Sequence, residues 1–229
     1  MLKYVKIYID FFWFKVLAYL FFFILASIAM ITYKKVCEFG GSLIKPTSLK
    51  TIFDDFIPFN IYFIYPYVLC MGIILFIGIF LSSYKRITSL QILAFYLSII
   101  VMYLFCYIIY IIFPTTAKDV MITTYNPNIL NIEKYKIINR LYSISTPLGD
   151  FPSLHVALMV FISLFLYKNW RVFFWILLPI TFPGAVGTIL LKFHVFIGFI
   201  GGAAMGVFVY FIIYEKLIFN KMNNLINKI

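Results

Sequence analysis

The sequence predicts an all-α polytopic membrane protein of six transmembrane helices, and three observations carry that expectation. Of its 229 residues 64% are hydrophobic and only 12% are charged, a balance that excludes an ordinary soluble domain. Several apolar runs exceed the roughly 18 residues that mark a spanning helix. The cations punctuate those runs, so a net charge of +11 points to anionic lipid headgroups and the bilayer, with no nucleic-acid partner. Mean hydropathy is +1.03, and residues 1–229 read as a single membrane domain with no separate soluble module.

The first span is expected over residues 11–33, with Lys15 close enough to its end to snorkel. Ser27-Ile28-Ala29 resembles a signal-peptide cleavage site, but the apolar region is too long for one and reads as a span. Residues 34–59 form a loop, with a short surface helix expected within 43–56. The second span covers about 61–83, with Pro66 a candidate kink, and closes at Tyr84-Lys85-Arg86. The third covers about 90–113 and stops at Pro114.

Residues 114–150 are the longest polar segment, long enough to suggest function. The fourth span covers 151–167, the fifth 172–191 and the sixth 195–214. In the last, Gly198, Gly201, Gly202 and Gly206 permit close helix contact. Residues 215–229 place Ile218, Met222, Leu225 and Ile229 on one face, the pattern of an interfacial amphipathic tail. Cys37, Cys70 and Cys106 lack paired spacing, and with two histidines the chain suggests neither a disulfide framework nor a metal centre or other cofactor.

Six spans put alternate connections on the same side. The loop before His155 and the turn bearing His194 then share a face, and an imidazole beside a bilayer is costly unless paired or used. Lys and Arg divide nine to each face, but six of the eight acids fall on the histidine side. The short acid-free turns at Lys85-Arg86 and Lys168 to Arg171 decide the orientation. Both termini are expected in the cytoplasm and the histidines on the outer face of the cell membrane.

Phe151-Pro152-Ser153-Leu154-His155-Val156-Ala157 is the motif at the centre of this reading. Pro152 suits a first helical turn. The amides near Ser153, Leu154 and His155 suit an anion at a helix N-terminus, and a histidine there can trade protons with it.

These residues, followed by a span and a second His after a short turn, resemble the type 2 phosphatidic acid phosphatase (PAP2) superfamily. Leu154, where phosphatases carry Gly, resembles the inositol phosphorylceramide synthase branch, as do Phe113-Pro114-Thr115-Thr116, Leu141-Tyr142 and Pro147. The likeness covers a core of about residues 90–210. It implies a lipid phosphatase or headgroup phosphotransferase acting on a lipid phosphate ester or phospholipid. His194 would be the nucleophile that forms a phosphohistidine, and His155 the general acid for the leaving oxygen. Ser153, Lys192, Arg140, Lys134 and Lys118 would hold the phosphate without a metal.

The third motif departs from the superfamily. It opens with Gly187-Thr188, continues as Lys192-Phe193-His194, and carries Gly198 where an Asp that orients the nucleophile is expected. The first motif finds only Lys134 and Arg140, one residue too close, with Leu141 in place of Pro. Asp150 and Asp119 lie on the expected histidine face and are the candidates to orient His194 instead. Asp150 also reads as an acid favoured at a helix start. These departures motivate an alternative: a degenerate relative that binds or moves phospholipid without turnover.

Overall fold

The computed structural model of the protein describes residues 12–84, 86–121 and 136–228. Its principal helices are α1 (Phe12–Leu43), α3 (Ile64–Ser83), α4 (Ser89–Ile112), α6 (Leu154–Asn169), α7 (Arg171–Leu190) and α8 (Phe196–Phe208). Two short helices, α2 (Ile52–Phe56) and α5 (Lys136–Ile144), lie between them. After α8 the chain continues without a break through a π-helical segment, Val209–Phe219, into α9 (Asn220–Lys228). Two-residue strands β1 (Thr47–Ser48) and β2 (Thr115–Thr116) pair in parallel.

Four of the described helical stretches are long and apolar enough to cross a membrane: Lys15–Leu43, Ser89–Ile112, Arg171–Leu190 and Phe196–Leu225. Ile61–Ile74 and Leu154–Asn169 are shorter apolar helices. The six apolar helices run alternately between two ends of the molecule. At one end the Tyr84 and Trp170 rings stack at 4.1 Å, Gln91 donates to Asn169 at 2.7 Å, and Lys168 pairs with Glu215. At the other end β1 meets β2, Thr116 bridges to Leu148, and the Asn60 amide donates to the Leu190 carbonyl at 2.9 Å.

Helix α4 is defined at its start by a reciprocal cap. The Gln91 amide donates to the Thr88 hydroxyl at 3.2 Å, while the Thr88 amide donates to the Gln91 side chain at 2.8 Å. Its buried face meets α6 through Phe95, whose ring lies 5.2 Å from Phe161 and 4.6 Å from Phe165. Tyr214 closes this core against Phe165 at 5.4 Å. In lipid such contacts hold helices by dispersion and close fit, because the surrounding tails are equally apolar. Small residues decide where the backbones meet. Gly202 and Gly206 lie against the Ser153 and Ala157 carbonyls, with the side chains of Val156 and Val160 alongside.

Several boundaries differ from those expected. Helix α1 runs ten residues past Tyr33, because its last three turns have packing partners of their own. Cys37 is buried, and Gly40 lies against the Tyr110 backbone. Lys15 is buried rather than snorkelling, and its ammonium donates to the Ile87 carbonyl at 2.7 Å. Pro66 falls in the first turn of α3, where a missing N–H breaks no helical bond, and the helix continues through Ser83. The expected boundary at Glu215 is not an interruption. Glu215 accepts from Tyr210 at 2.9 Å inside a continuous helix, so the polar tail extends α8 rather than lying apart from it. Pro152 precedes helix α6 instead of opening it. Ser153 is the N-cap, its hydroxyl accepting from the Val156 amide at 3.4 Å.

Candidate active site

The segment 148–153 is held from every side, and its bonds explain how a polar loop reaches the edge of an apolar bundle. The Tyr33 hydroxyl reaches the Leu148 and Gly149 carbonyls at 3.2 and 3.3 Å. Gly149, at φ 73°, adopts the left-handed backbone that favours glycine, and its amide donates to the Thr115 carbonyl at 3.0 Å. The Thr115 hydroxyl accepts from the Phe151 amide at 2.8 Å. Tyr110, fully buried on α4, donates to the Pro152 carbonyl at 2.7 Å. The Ser153 amide donates to the Gly198 carbonyl at 2.9 Å, joining this loop to α8.

The turn between α7 and α8 supplies the second half. The Thr188 carbonyl accepts from both the Phe193 and His194 amides, at 3.0 and 3.1 Å. Lys192 takes a left-handed φ of 57°, which reverses the chain between Leu191 and His194. The Tyr142 hydroxyl from α5 caps the Leu191 carbonyl at 2.6 Å. Tyr142 and Tyr67 enclose Phe193, the latter stacked at 5.2 Å, and Tyr67 also meets the His155 ring edge-on at 6.0 Å.

These two halves bring His194, Asp150 and His155 together. His194 Nδ1 lies 3.0 Å from Asp150 Oδ1 and 3.2 Å from the Asp150 carbonyl. Asp150 Oδ1 also accepts from the Val195 amide at 3.0 Å. The carbonyl can only accept, so Nδ1 carries the hydrogen. A neutral His194 therefore presents its lone pair at Nε2. That nitrogen faces His155 Nδ1 at 3.5 Å. His194 is 5% exposed, Asp150 is fully enclosed, and Asp150 Oδ2 has no hydrogen-bond partner among the described residues.

Gly198 explains how Asp150 fits. A Cβ at position 198 would stand 2.5 Å from the Asp150 carbonyl oxygen and 3.0 and 3.1 Å from its two carboxylate oxygens. The volume that a side chain at 198 would enter is the volume the Asp150 carboxylate occupies. Only a residue without Cβ lets both segments approach this closely.

The residues expected to hold phosphate are placed differently from one another. Ser153 adjoins the histidines, but its amide is engaged by Gly198 and its hydroxyl caps α6. Lys192 is buried and turns away, donating to the Asp54 and Ile57 carbonyls at 2.8 and 2.6 Å. Burial pushes its ammonium below the ordinary lysine range, against the opposing pull of Asp54 and Asp55. Its sequence distance from His194 suggested phosphate binding, but the left-handed turn points the side chain to the other side. Arg140 lies exposed on α5, and Lys118 exposed in the turn after β2. Lys134 falls outside the described residues. Asp119 is exposed at the surface, and Asp150 alone of the two candidate acids contacts His194.

Sequence reasoning missed Asp54. This buried carboxylate accepts from the Thr51 amide at 2.7 Å and hydroxyl at 2.8 Å, and from the Phe196 amide at 2.7 Å. The Thr51-x-x-Asp54 spacing is a recognisable capping signal, but its reach to α8 is a tertiary fact. Tyr67 and Tyr110 were also missed, because a tyrosine near a span end reads first as an interfacial anchor, and Tyr142 was noted only as part of the Leu141-Tyr142 likeness.

Comparison with protein-family models, with curated proteins and with solved structures finds no match to this chain.

Proposed function

We propose that this protein is a six-span membrane phosphoryl-transfer enzyme of the type 2 phosphatidic acid phosphatase kind. Its substrate would be a lipid phosphate ester in the outer leaflet, with both termini in the cytoplasm. The observation that carries the reading is the hydrogen bond from His194 Nδ1 to Asp150 Oδ1, which leaves Nε2 as a nucleophile facing a second imidazole. In the first step Nε2 attacks phosphorus, and an N–P bond forms as the P–O bond to the leaving alcohol breaks. His155 delivers its proton to that oxygen. In the second step His155 takes a proton from water or from an acceptor alcohol, whose oxygen displaces His194 from phosphorus. Asp150 stabilises the imidazolium that forms on His194, as the buried acid of a hydrolase triad does.

A phosphoryl group cannot fit between nitrogens 3.5 Å apart, so substrate entry has to part the two rings. Arg140, Lys134 and Lys118 remain the proposed partners of the equatorial oxygens. A second reading, a degenerate relative that binds or moves phospholipid without turnover, rests on Gly198 and the missing first motif. It rests also on Lys192, which is committed to backbone carbonyls and so does not supply transition-state charge beside the histidine pair.

The test is phosphate release or headgroup transfer by purified protein across a panel of lipid phosphates and phospholipids. Activity abolished by His194→Ala and cut about 10²–10⁴-fold by His155→Ala supports the enzyme. Headgroup binding with no turnover on any lipid supports the second reading.

A further inference from the structure

The loop between α1 and α3 contains a feature that the phosphoryl-transfer reading does not use. Helix α2 has five residues and exposes three large apolar side chains: Ile52 at 68%, Phe53 at 58% and Phe56 at 76%. At about 100° per residue these fall within one arc of roughly 100°. Asp54 projects nearly opposite, buried against the Phe196 amide, and Asp55 pairs with Lys50 at 2.6 Å. Ile52 and Phe56 therefore face away from the protein, and Phe53, at the edge of the arc, is exposed while its ring also meets Phe196 at 5.4 Å. Leu43 and Ile44 before α2 in the chain, and Tyr62 and Tyr65 after it, are exposed as well.

We propose that α2 is a membrane-interface anchor, seated with Ile52, Phe53 and Phe56 among the headgroups and first acyl carbons of the leaflet on the His194 side. Its occupant is the lipid surface of the protein's own membrane. The spanning helices bring that surface to the same end, and an apolar helix face with a charged flank prefers the interface. The anchor is tied to the site through three hydrogen bonds. Asp54 holds Phe196 and Lys192 holds the Asp54 and Ile57 carbonyls, so α2 grips the chain on both sides of His194. Lipid seated on α2 thereby braces the His194 turn.

The full chain carrying Phe56→Cys, labelled with an environment-sensitive nitrobenzoxadiazole dye, tests this in phosphatidylcholine vesicles. Cys37, Cys70 and Cys106 are buried and serve as the unlabelled background. The expected result is blue-shifted emission that is lost in vesicles brominated near the top of the acyl chain and preserved against aqueous iodide. Loss to iodide with no response to brominated lipid overturns the proposal. Ile52→Cys repeats the test should the first variant fail to fold, and Asp55→Cys, on the charged flank, is expected to respond to iodide instead. None of these readouts depends on catalytic turnover.

Discussion

Asp150 and His194 are 44 residues apart in sequence and 3.0 Å apart in the fold, where His194 Nδ1 faces both the Asp150 carboxylate and the Asp150 backbone carbonyl. Asp150→Asn tests the carboxylate contact with little change of shape. An amide in place of the carboxylate leaves the backbone carbonyl to hold Nδ1–H but removes the negative charge that stabilises the cation formed on His194. The expected loss of turnover is up to about 10⁴-fold, by the cost of the same change in hydrolase triads. Lipid phosphate turnover, read beside an unchanged gel-filtration profile, checks it.

Gly198 and Asp150 compete for one volume, which makes a reciprocal prediction. Gly198→Asp alone is expected to inactivate and destabilise the protein, because its Cβ meets the Asp150 carbonyl at 2.5 Å. Asp150→Gly relieves the crowding of the carboxylate while removing the acid. The double variant Asp150→Gly, Gly198→Asp keeps its Cβ against that backbone carbonyl, so it is expected to stay as inactive as either single variant. Equal inactivity of all three variants would mean that position 198 cannot supply the acid in this fold.

Tyr110→Phe removes the hydroxyl that satisfies the buried Pro152 carbonyl at 2.7 Å. An unsatisfied buried acceptor costs about 1–3 kcal/mol, so thermal unfolding in detergent should shift downward. Turnover should fall further than stability explains, since Pro152 stands between Asp150 and His155. A rate unchanged at temperatures where the variant is folded would make Tyr110 purely structural.

Lys192 predicts a pH effect with a definite sign. Its ammonium is disfavoured by burial, so in the alkaline window below the ordinary lysine value the folded chain binds fewer protons than the unfolded one. Stability from this group therefore rises with pH across that window. Lys192→Met should flatten that rise and, by freeing the Asp54 and Ile57 carbonyls, lower stability at neutral pH. Unfolding temperatures of both proteins over an alkaline pH series measure it.

Much of the helical framework was legible because apolar runs of this length leave few alternatives in lipid. Parity of connections likewise placed His155 and His194 on one end, and their rings are 5.8 Å apart. What was hidden depended on backbone direction. Lys192 sits two residues from His194, yet a left-handed φ sends its side chain toward α2. Sequence named Asp150 as one of two acids near the histidines, but the choice over Asp119 rests on the Tyr33, Thr115 and Tyr110 bonds that hold segment 148–153. The extension of α1 beyond Tyr33 was hidden for a related reason. Lys34 and Lys35 read as the end of a span, whereas Cys37 and Gly40 continue the helix into contacts with α4 and segment 148–153.

The central claim is that His194, held by Asp150, becomes covalently phosphorylated. The most direct measurement is acid- and base-lability of label on the protein after brief incubation with lipid carrying ³²P in its phosphate. An acid-labile, base-stable phosphoenzyme is expected in the native protein, absent from His194→Ala and strongly reduced in Asp150→Asn. Turnover with label retained in His194→Ala would contradict the claim.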